Sequence, residues 1–234
     1  MHSREFEAAL AISSQIPGWL TPAQARVLFD AARTVPAEGR VIEVGSHLGR
    51  STVVLGSAVA EGARVVAIDP FGATWRYGGS DTERSMRANL ERAGVSQVVE
   101  VRVATSADVL ATWRTPVQLV YVDGKHDVLS VVRDLGWARW VEPGGEVLVH
   151  DAFSSVGVTL GLLWVLLSGR RLVYRDRTGS LARLEVASPR LSDRIRPLGE
   201  LPWWLRNVVV KVLLRARLRR VAARLGHTDE ADPY

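Results

Sequence analysis

The stretch that most restricts how this chain can fold is Arg40–Ala60, RVIEVGSHLGRSTVVLGSAVA, together with Arg64–Pro70, RVVAIDP. A β-branched run of Val41, Ile42 and Val44 ends at Gly45. Beyond a second glycine, Gly49, the apolar spacing becomes helical through Val53, Val54, Ser57 and Ala58. The order is strand, glycine turn, helix. Such a turn needs a residue that takes positive φ and lets a ligand approach the backbone, while Ser46 and Ser51 stand where they can cap the helix. The second strand closes on Asp69, about 20 residues past the turn, where a carboxylate can accept two ribose hydroxyls. Together the two elements describe a nucleoside site.

A dinucleotide turn wants GxGxxG, so that a pyrophosphate can rest on the helix start. Here Ser46, His47 and Leu48 separate Gly45 from Gly49, and the middle glycine is missing. The remaining pattern, E-V-G-S-x-x-G-R-S-T, resembles motif I of the class I S-adenosylmethionine (SAM) methyltransferases, whose ligand has no phosphate. That resemblance implies that Gly45 and Ser46 line the methionine moiety and that Asp69 meets the ribose. Glu43 then orients the loop or meets the SAM amino group, Ser51 belongs to the same turn, and His47 is a local hydrogen-bonding residue. The competing reading of the glycines alone is an ordinary βα connection.

The 234 residues suffice for one sizeable α/β core with appendages and are too few for two independent enzyme domains. No cysteine occurs, which excludes disulfides, thiolate nucleophiles and cysteine-ligated zinc. The N-terminal stretch has early glutamates and no continuous apolar core, so it does not read as a signal peptide, and the cytoplasm is the expected compartment. A pI near 10.2 suggests nucleic acid until the charge is located. Residues 201–234 carry a net +4 and residues 1–200 only +1, so no nucleic-acid partner is expected for the body.

The spacing predicts an N-terminal helical cap (1–38), a core (39–187) and a basic amphipathic helical tail (188–234). Thr21-Pro22 starts a helix with Ala25, Val27, Leu28, Ala31 and Ala32 on its apolar side. Pro17-Gly18-Trp19 before it is a turn with an aromatic anchor, expected to serve packing first and active-site closure second. The glycine- and aromatic-rich stretch 71–80 reads as a loop at the ligand-binding edge, with Trp75, Arg76 and Tyr77 as candidate substrate contacts. Strands follow at 98–103 and 119–122. A helix past His126 is expected to stop at Pro143-Gly144-Gly145, before a fifth strand at 146–149. An apolar helix at 154–168 is too short for the ~20 residues of a membrane span. Two strands around Arg177-Thr178-Gly179-Ser180 then make a hairpin. The architecture resembles a Rossmann-like α/β class I methyltransferase: a mostly parallel seven-stranded sheet, a terminal antiparallel hairpin and helices on both faces. By the same resemblance Thr105, Ser106 and Ala107 bracket the adenine.

Acidic residues follow successive strands at one sheet edge: Asp69, Asp123 and Asp151. The elements V-D-G-x-H and P-G-G-x-x-x-x-H-D, over roughly Ile42–Phe153, resemble the small metal-dependent sugar O-methyltransferases, such as the macrocin and mycinamicin methyltransferases, and the cephalosporin hydroxylase-like group. The resemblance implies Asp123 and Asp151 as ligands of Mg²⁺ or another divalent cation and His126 as base. Where that family often has two adjacent carboxylates, His150 precedes Asp151, which leaves His150 as third ligand, outer partner or plain strand residue. Physically, an alcohol is a poor nucleophile at neutral pH, a hard cation on oxygen ligands stabilises the developing alkoxide, and an imidazole suits the proton transfer. Carboxylates at strand ends also cap helices, which is the competing reading of Asp123 and Asp151.

The function expected is thus SAM-dependent methylation of a sugar hydroxyl, in an oligosaccharide, glycoside or glycosylated natural product. Two other classes compete: an NAD-dependent oxidoreductase, disfavoured by the missing glycine, and a non-catalytic membrane- or nucleic-acid-binding protein. The segment 201–225 interleaves Trp203, Trp204, Leu205, Val208, Val209, Val212 and Leu213 with arginines and Lys211. It reads first as a docked terminal helix and second as a peripheral contact with the inner face of the membrane. Apolar terminal segments make a homodimer the expected assembly.

Overall fold

A computed structural model describes residues 2–72 and 80–228. Trp75, Arg76 and Tyr77 lie outside the described residues. Two helices, α1 (His2–Ser13) and α2 (Pro22–Arg33), precede the alternating part: β1 (Arg40–Val44), α3 (Arg50–Ala58), β2 (Arg64–Ile68), α4 (Ser80–Arg92), β3 (Val99–Arg102), α5 (Ser106–Thr112), β4 (Val117–Val122), α6 (Val128–Asp134), β5 (Val141–Val149) and α7 (Val156–Leu167). The hairpin β6 (Val173–Thr178) and β7 (Leu181–Glu185) and three helices, α8 (Leu191–Ile195), α9 (Leu201–Arg215) and α10 (Arg219–Arg224), complete it. The sheet order is β3-β2-β1-β4-β5-β7-β6, parallel through β5 and antiparallel at β7 and β6. This is the Rossmann-like methyltransferase fold that the sequence predicts.

Because right-handed crossovers put helices on both faces, the central strands are buried on both sides and alternate between two cores. Ile42, Val44, Val120, Val122, Val147 and Val149 join α5, α6 and α7 in one cluster. Val41, Val65, Leu119, Tyr121 and Leu148 join α1, α2 and α3 in the other. A one-residue register slip would exchange the two sets, so the pairing of Val44 with both Ile68 and Val122, and of Val122 with Val149, is firmly specified. It also brings the chain leaving β1, β2, β4 and β5 to one edge, where ligands bind in open parallel sheets.

Four local expectations are corrected. Neither Ser46 nor Ser51 caps α3: its N-cap is Gly49, at φ +84°, because the Ser51 hydroxyl is committed to Glu43. Pro143-Gly144-Gly145 does not stop a helix. It forms an irregularity inside β5, whose Val141 already pairs with Val117, and Gly144 at φ +86° donates its N–H to Val186 O. The segment 201–225, read as one terminal helix, is two, α9 and α10, broken where Arg217 takes φ +61°. The helix after His126 is also short: beyond α6 a 3₁₀ turn, Leu135–Arg139, buries Trp137 completely, while Val128 stays at the exposed rim.

Candidate active site

The edge formed by the ends of β1, β2, β4 and β5 opens on a cavity of about 770 Å³. Its floor at β1 is the glycine turn. Gly45 has φ +88°, and a Cβ there would stand 2.2 Å from the carbonyl oxygen of Asp123. The close approach that demands glycine is therefore made by the chain's own backbone. The Asp69 carboxylate accepts the backbone N–H of His47 (2.9 Å) and of Phe71 (2.8 Å), tying the turn after β1 to the exit of β2. Ser46 is buried, and its Oγ has no partner within hydrogen-bonding distance, although it lies close enough to Glu43 to favour the ionised carboxyl.

Glu43 itself is fully buried and stands behind the lining. Ser51 Oγ and Thr52 Oγ1 donate to its two carboxyl oxygens at 2.5 Å each. Burial pushes its pKa up to about 7, against the pull of those hydroxyls. Glu43 thus anchors α3 to β1, and of the two roles read from the sequence this geometry corresponds to orienting the loop. On the β3 side, Thr105 caps α5, and Ser106 accepts the Trp137 indole N–H at 3.0 Å. Ser106 and Ala107 line the cavity beside Asp134, whose pKa burial raises to about 6.

At the β4 and β5 ends, Asp123, His126 and Asp151 place one ligand atom each within 4.8 Å of one another. His126 Nε2 is 3.8 Å from Asp123 Oδ1 and 3.4 Å from Asp151 Oδ2. The buried His150 turns Nδ1 to the same carboxylates, 3.4 Å from Asp123 and 3.6 Å from Asp151, and its Nε2 lies 3.4 Å from Gln24 Oε1. The Tyr121 hydroxyl donates to Asp123 at 3.1 Å. Burial works against every charge here, yet the facing histidines outweigh it and hold Asp123 and Asp151 below the usual carboxylate range. Conversely, the hydrogen bond with Asp123 raises His126, and the two carboxylates carry His150 well above its ordinary value in spite of burial. Neighbouring ligand atoms of an octahedral cation stand about 3 Å apart. Here the His126–Asp151 and His126–Asp123 spacings, 3.4 and 3.8 Å, are wider than that, and the three ligand atoms lie within 4.8 Å of one another.

The geometry therefore joins Asp123, Asp151, His126 and His150 in one cluster, and Gly45, Ser46, Ser51, Asp69, Ser106 and Ala107 around the same cavity; Glu43 is set back from it. As third member of the ligand-spaced group the structure has His126, where the sequence nominated His150. Several lining residues had no sequence signal because they arrive through tertiary packing. Gln24 comes from α2 and also donates to Ser180 (3.1 Å). Arg50 donates to the carbonyls of Ile16, Gly18 and Leu20, and so holds the half-exposed Trp19 at the cavity rim. From α9, Lys211 reaches the lining and donates to Ser154 O (3.0 Å) and Oγ (3.1 Å), while the buried Asn207 donates to Phe153 O (3.0 Å). Asp151 and Phe153 both have φ +54°, a costly conformation for residues with a Cβ, and α9 braces that turn.

Residues 42–152 match a family model described as a methyltransferase domain. The catechol O-methyltransferase of Mycobacterium tuberculosis is 34% identical over 148 residues, covering 62% of each chain; the match therefore spans somewhat less than two thirds of that relative. Among solved structures, the cofactor-bound Rv0187 from MTB superposes with TM-score 0.61 at 24% identity, over 80% of this chain and 91% of that one. The O-methyltransferase from Bacillus cereus in complex with SAH superposes with TM-score 0.58 at 19% identity, over 78% and 90%. At these identities the superpositions speak for the fold.

Proposed function

We propose that this chain is a SAM-dependent O-methyltransferase that methylates a sugar hydroxyl with help from a divalent cation. The observation that carries the reading is the cluster of Asp123, Asp151, His126 and His150 at the sheet edge that also holds the glycine turn and Asp69, all opening on one cavity. The methyltransferase-domain match over 42–152 and the similarity to an O-methyltransferase relative support it.

The donor end fits a nucleoside–amino acid ligand. Ser46 offers a buried hydroxyl with no partner, Asp69 a carboxylate at the end of β2, and Ser106 and Ala107 a wall for a base. SAM, when bound, supplies a methyl group already activated by the sulfonium. The cation end fits too, with two carboxylates and an imidazole whose ligand atoms lie within 4.8 Å of one another. A hard divalent ion there supplies electrostatic stabilisation of an acceptor's developing alkoxide. The protein's own work is alignment and proton removal. Asp123 and Asp151 hold the cation end, His150 orients them from the buried side, and His126, with nearly half its side chain exposed, takes the acceptor proton at Nε2. Since His126 is also within ligand distance, His126→Gln separates the roles: as base, its loss abolishes turnover with cation affinity kept.

A catechol acceptor is the second reading, favoured by the catechol O-methyltransferase relative. Both acceptors present vicinal hydroxyls to one cation, so the same residues serve either. A panel of sugars, glycosides and catechols, each incubated with SAM with and without EDTA, decides between them. Methyl transfer only to catechols would set the sugar reading aside.

A further inference from the structure

We propose that the face built by α7, α8 and α9 docks on a lipid bilayer bearing anionic headgroups. Residues 170–224 hold 15 basic and 4 acidic side chains, a net +11, whereas residues 1–169 hold 15 and 18, a net −3. The basic excess of the molecule therefore sits on its last helices and the hairpin before them. The same region leaves apolar helix faces in water. On α7, Val156, Leu160, Trp164 and Leu167 recur at i, i+4, i+8 and i+11, with Trp164 65% exposed. On α9, Leu205, Val209 and Val212 recur at i, i+4 and i+7, opposite the buried Asn207 and Val210 that dock the helix on the core. Between them α8 exposes Leu191 (73%) and Ile195. These elements are neighbours: α7 packs against α8 and the 3₁₀ turn Arg196–Glu200, which in turn packs on α9.

Cationic and apolar side chains on adjoining helices match the two components of an anionic membrane surface, headgroup charge and acyl boundary. No helix among the described residues is long and apolar enough to cross the bilayer, so contact is by lying on it. A second copy is the poorer occupant, because a twofold contact would set two strongly cationic segments face to face. A nucleic acid would meet the charge and leave Trp164, Leu191 and Leu205 in water. Lys211 of α9 lines the catalytic cavity, so docking brings that cavity within about one helix diameter, ~10 Å, of the headgroups.

Flotation of the full chain with vesicles tests this without donor or acceptor, and so independently of the methyltransferase reading. The probes are phosphatidylcholine alone and an equal mixture with phosphatidylglycerol. At least about tenfold more protein should float with the anionic vesicles, falling as salt is raised. Trp164→Glu and the double variant Leu205→Glu/Val209→Glu, at exposed positions that leave the circular dichroism unchanged, should lose that binding. Equal flotation with both vesicles, none with either, or undiminished binding by the variants overturns the proposal. So does a stable dimer that the double variant dissociates, or RNA binding that is lost in Arg217→Glu/Arg220→Glu/Arg224→Glu and survives the apolar changes.

Discussion

The Cα of Gly45 faces the carbonyl of Asp123 so closely that a Cβ would stand 2.2 Å from the oxygen, and the turn after β1 is thereby seated on the backbone that carries the first carboxylate of the cluster. The glycine turn and the backbone at Asp123 are packed on one another, so a change that displaces this shared backbone should be felt on both sides, whereas the loss of a side chain on one side need not be.

Gly45→Ala tests that coupling. The positive φ alone costs about 1–3 kcal/mol for a residue with a Cβ, and the contact with Asp123 forces a backbone shift besides. Urea unfolding should show at least that loss, and calorimetry should show weakened binding of both SAM and Mg²⁺. Wild-type stability, or weakening of SAM alone, would contradict the seating.

Asp69→Ala and Asp123→Ala should split the site by function. Asp69 holds the backbone N–H of His47 and Phe71, so its loss should weaken SAM binding about 10- to 100-fold, the range of a lost charged hydrogen bond. Asp123→Ala should lower turnover by about 100-fold or more with SAM affinity nearly unchanged. Titration of SAM against both variants, with kcat measured alongside, is the check.

Glu43 predicts a pH dependence of stability. Its folded pKa of about 7 lies above the ordinary 4.5, so the folded state holds the proton more tightly. Stability from this group is complete below pH 4.5 and declines up to about pH 7, by about 3 kcal/mol in all. Asp123 and Asp151, shifted down, act only below their ordinary range, and His126 and His150, shifted up, slope the same way as Glu43 but above pH 6.5. The informative window is therefore pH 4.5–6.5. There the unfolding free energy should fall with pH in the wild type and fall less steeply in Glu43→Gln, where the raised Asp134 and Glu146 keep the remaining slope; parallel curves would refute the assignment.

Asn207 braces the Asp151 turn. Asn207→Ala leaves the buried carbonyl of Phe153 without its donor, at a cost of about 1–3 kcal/mol. Because Asp151 and Phe153 hold positive φ in that turn, Mg²⁺ affinity should fall along with stability, while SAM affinity should not. Unchanged Mg²⁺ binding in a folded Asn207→Ala would make α9 a structural prop only.

The sheet was readable because its information is local: β-branched runs ending in glycine or aspartate mark β1, β2 and β4, and a Gly-Ser turn between two apolar runs marks the hairpin. The same logic misread β5, where Pro143-Gly144-Gly145 looks like a terminator and is an irregularity within a paired strand. Ser51 looked like a cap because nothing in the sequence says that Glu43, eight residues earlier, claims its hydroxyl. Asp123, His126 and Asp151 were legible as residues following strands at one edge. Gln24, Asn207 and Lys211 were not, since each reaches the site from a helix far away in the chain.

The central claim is methyl transfer from SAM to an acceptor hydroxyl, assisted by a cation that Asp123 and Asp151 hold. The most direct measurement is mass-detected methylation of the acceptor panel by the wild type and Asp123→Ala, with Mg²⁺, with EDTA, and with EDTA followed by excess Mg²⁺. The account predicts product with Mg²⁺, its loss with EDTA, its return on re-addition, and none in the variant. Undiminished methylation in EDTA and in Asp123→Ala would contradict it.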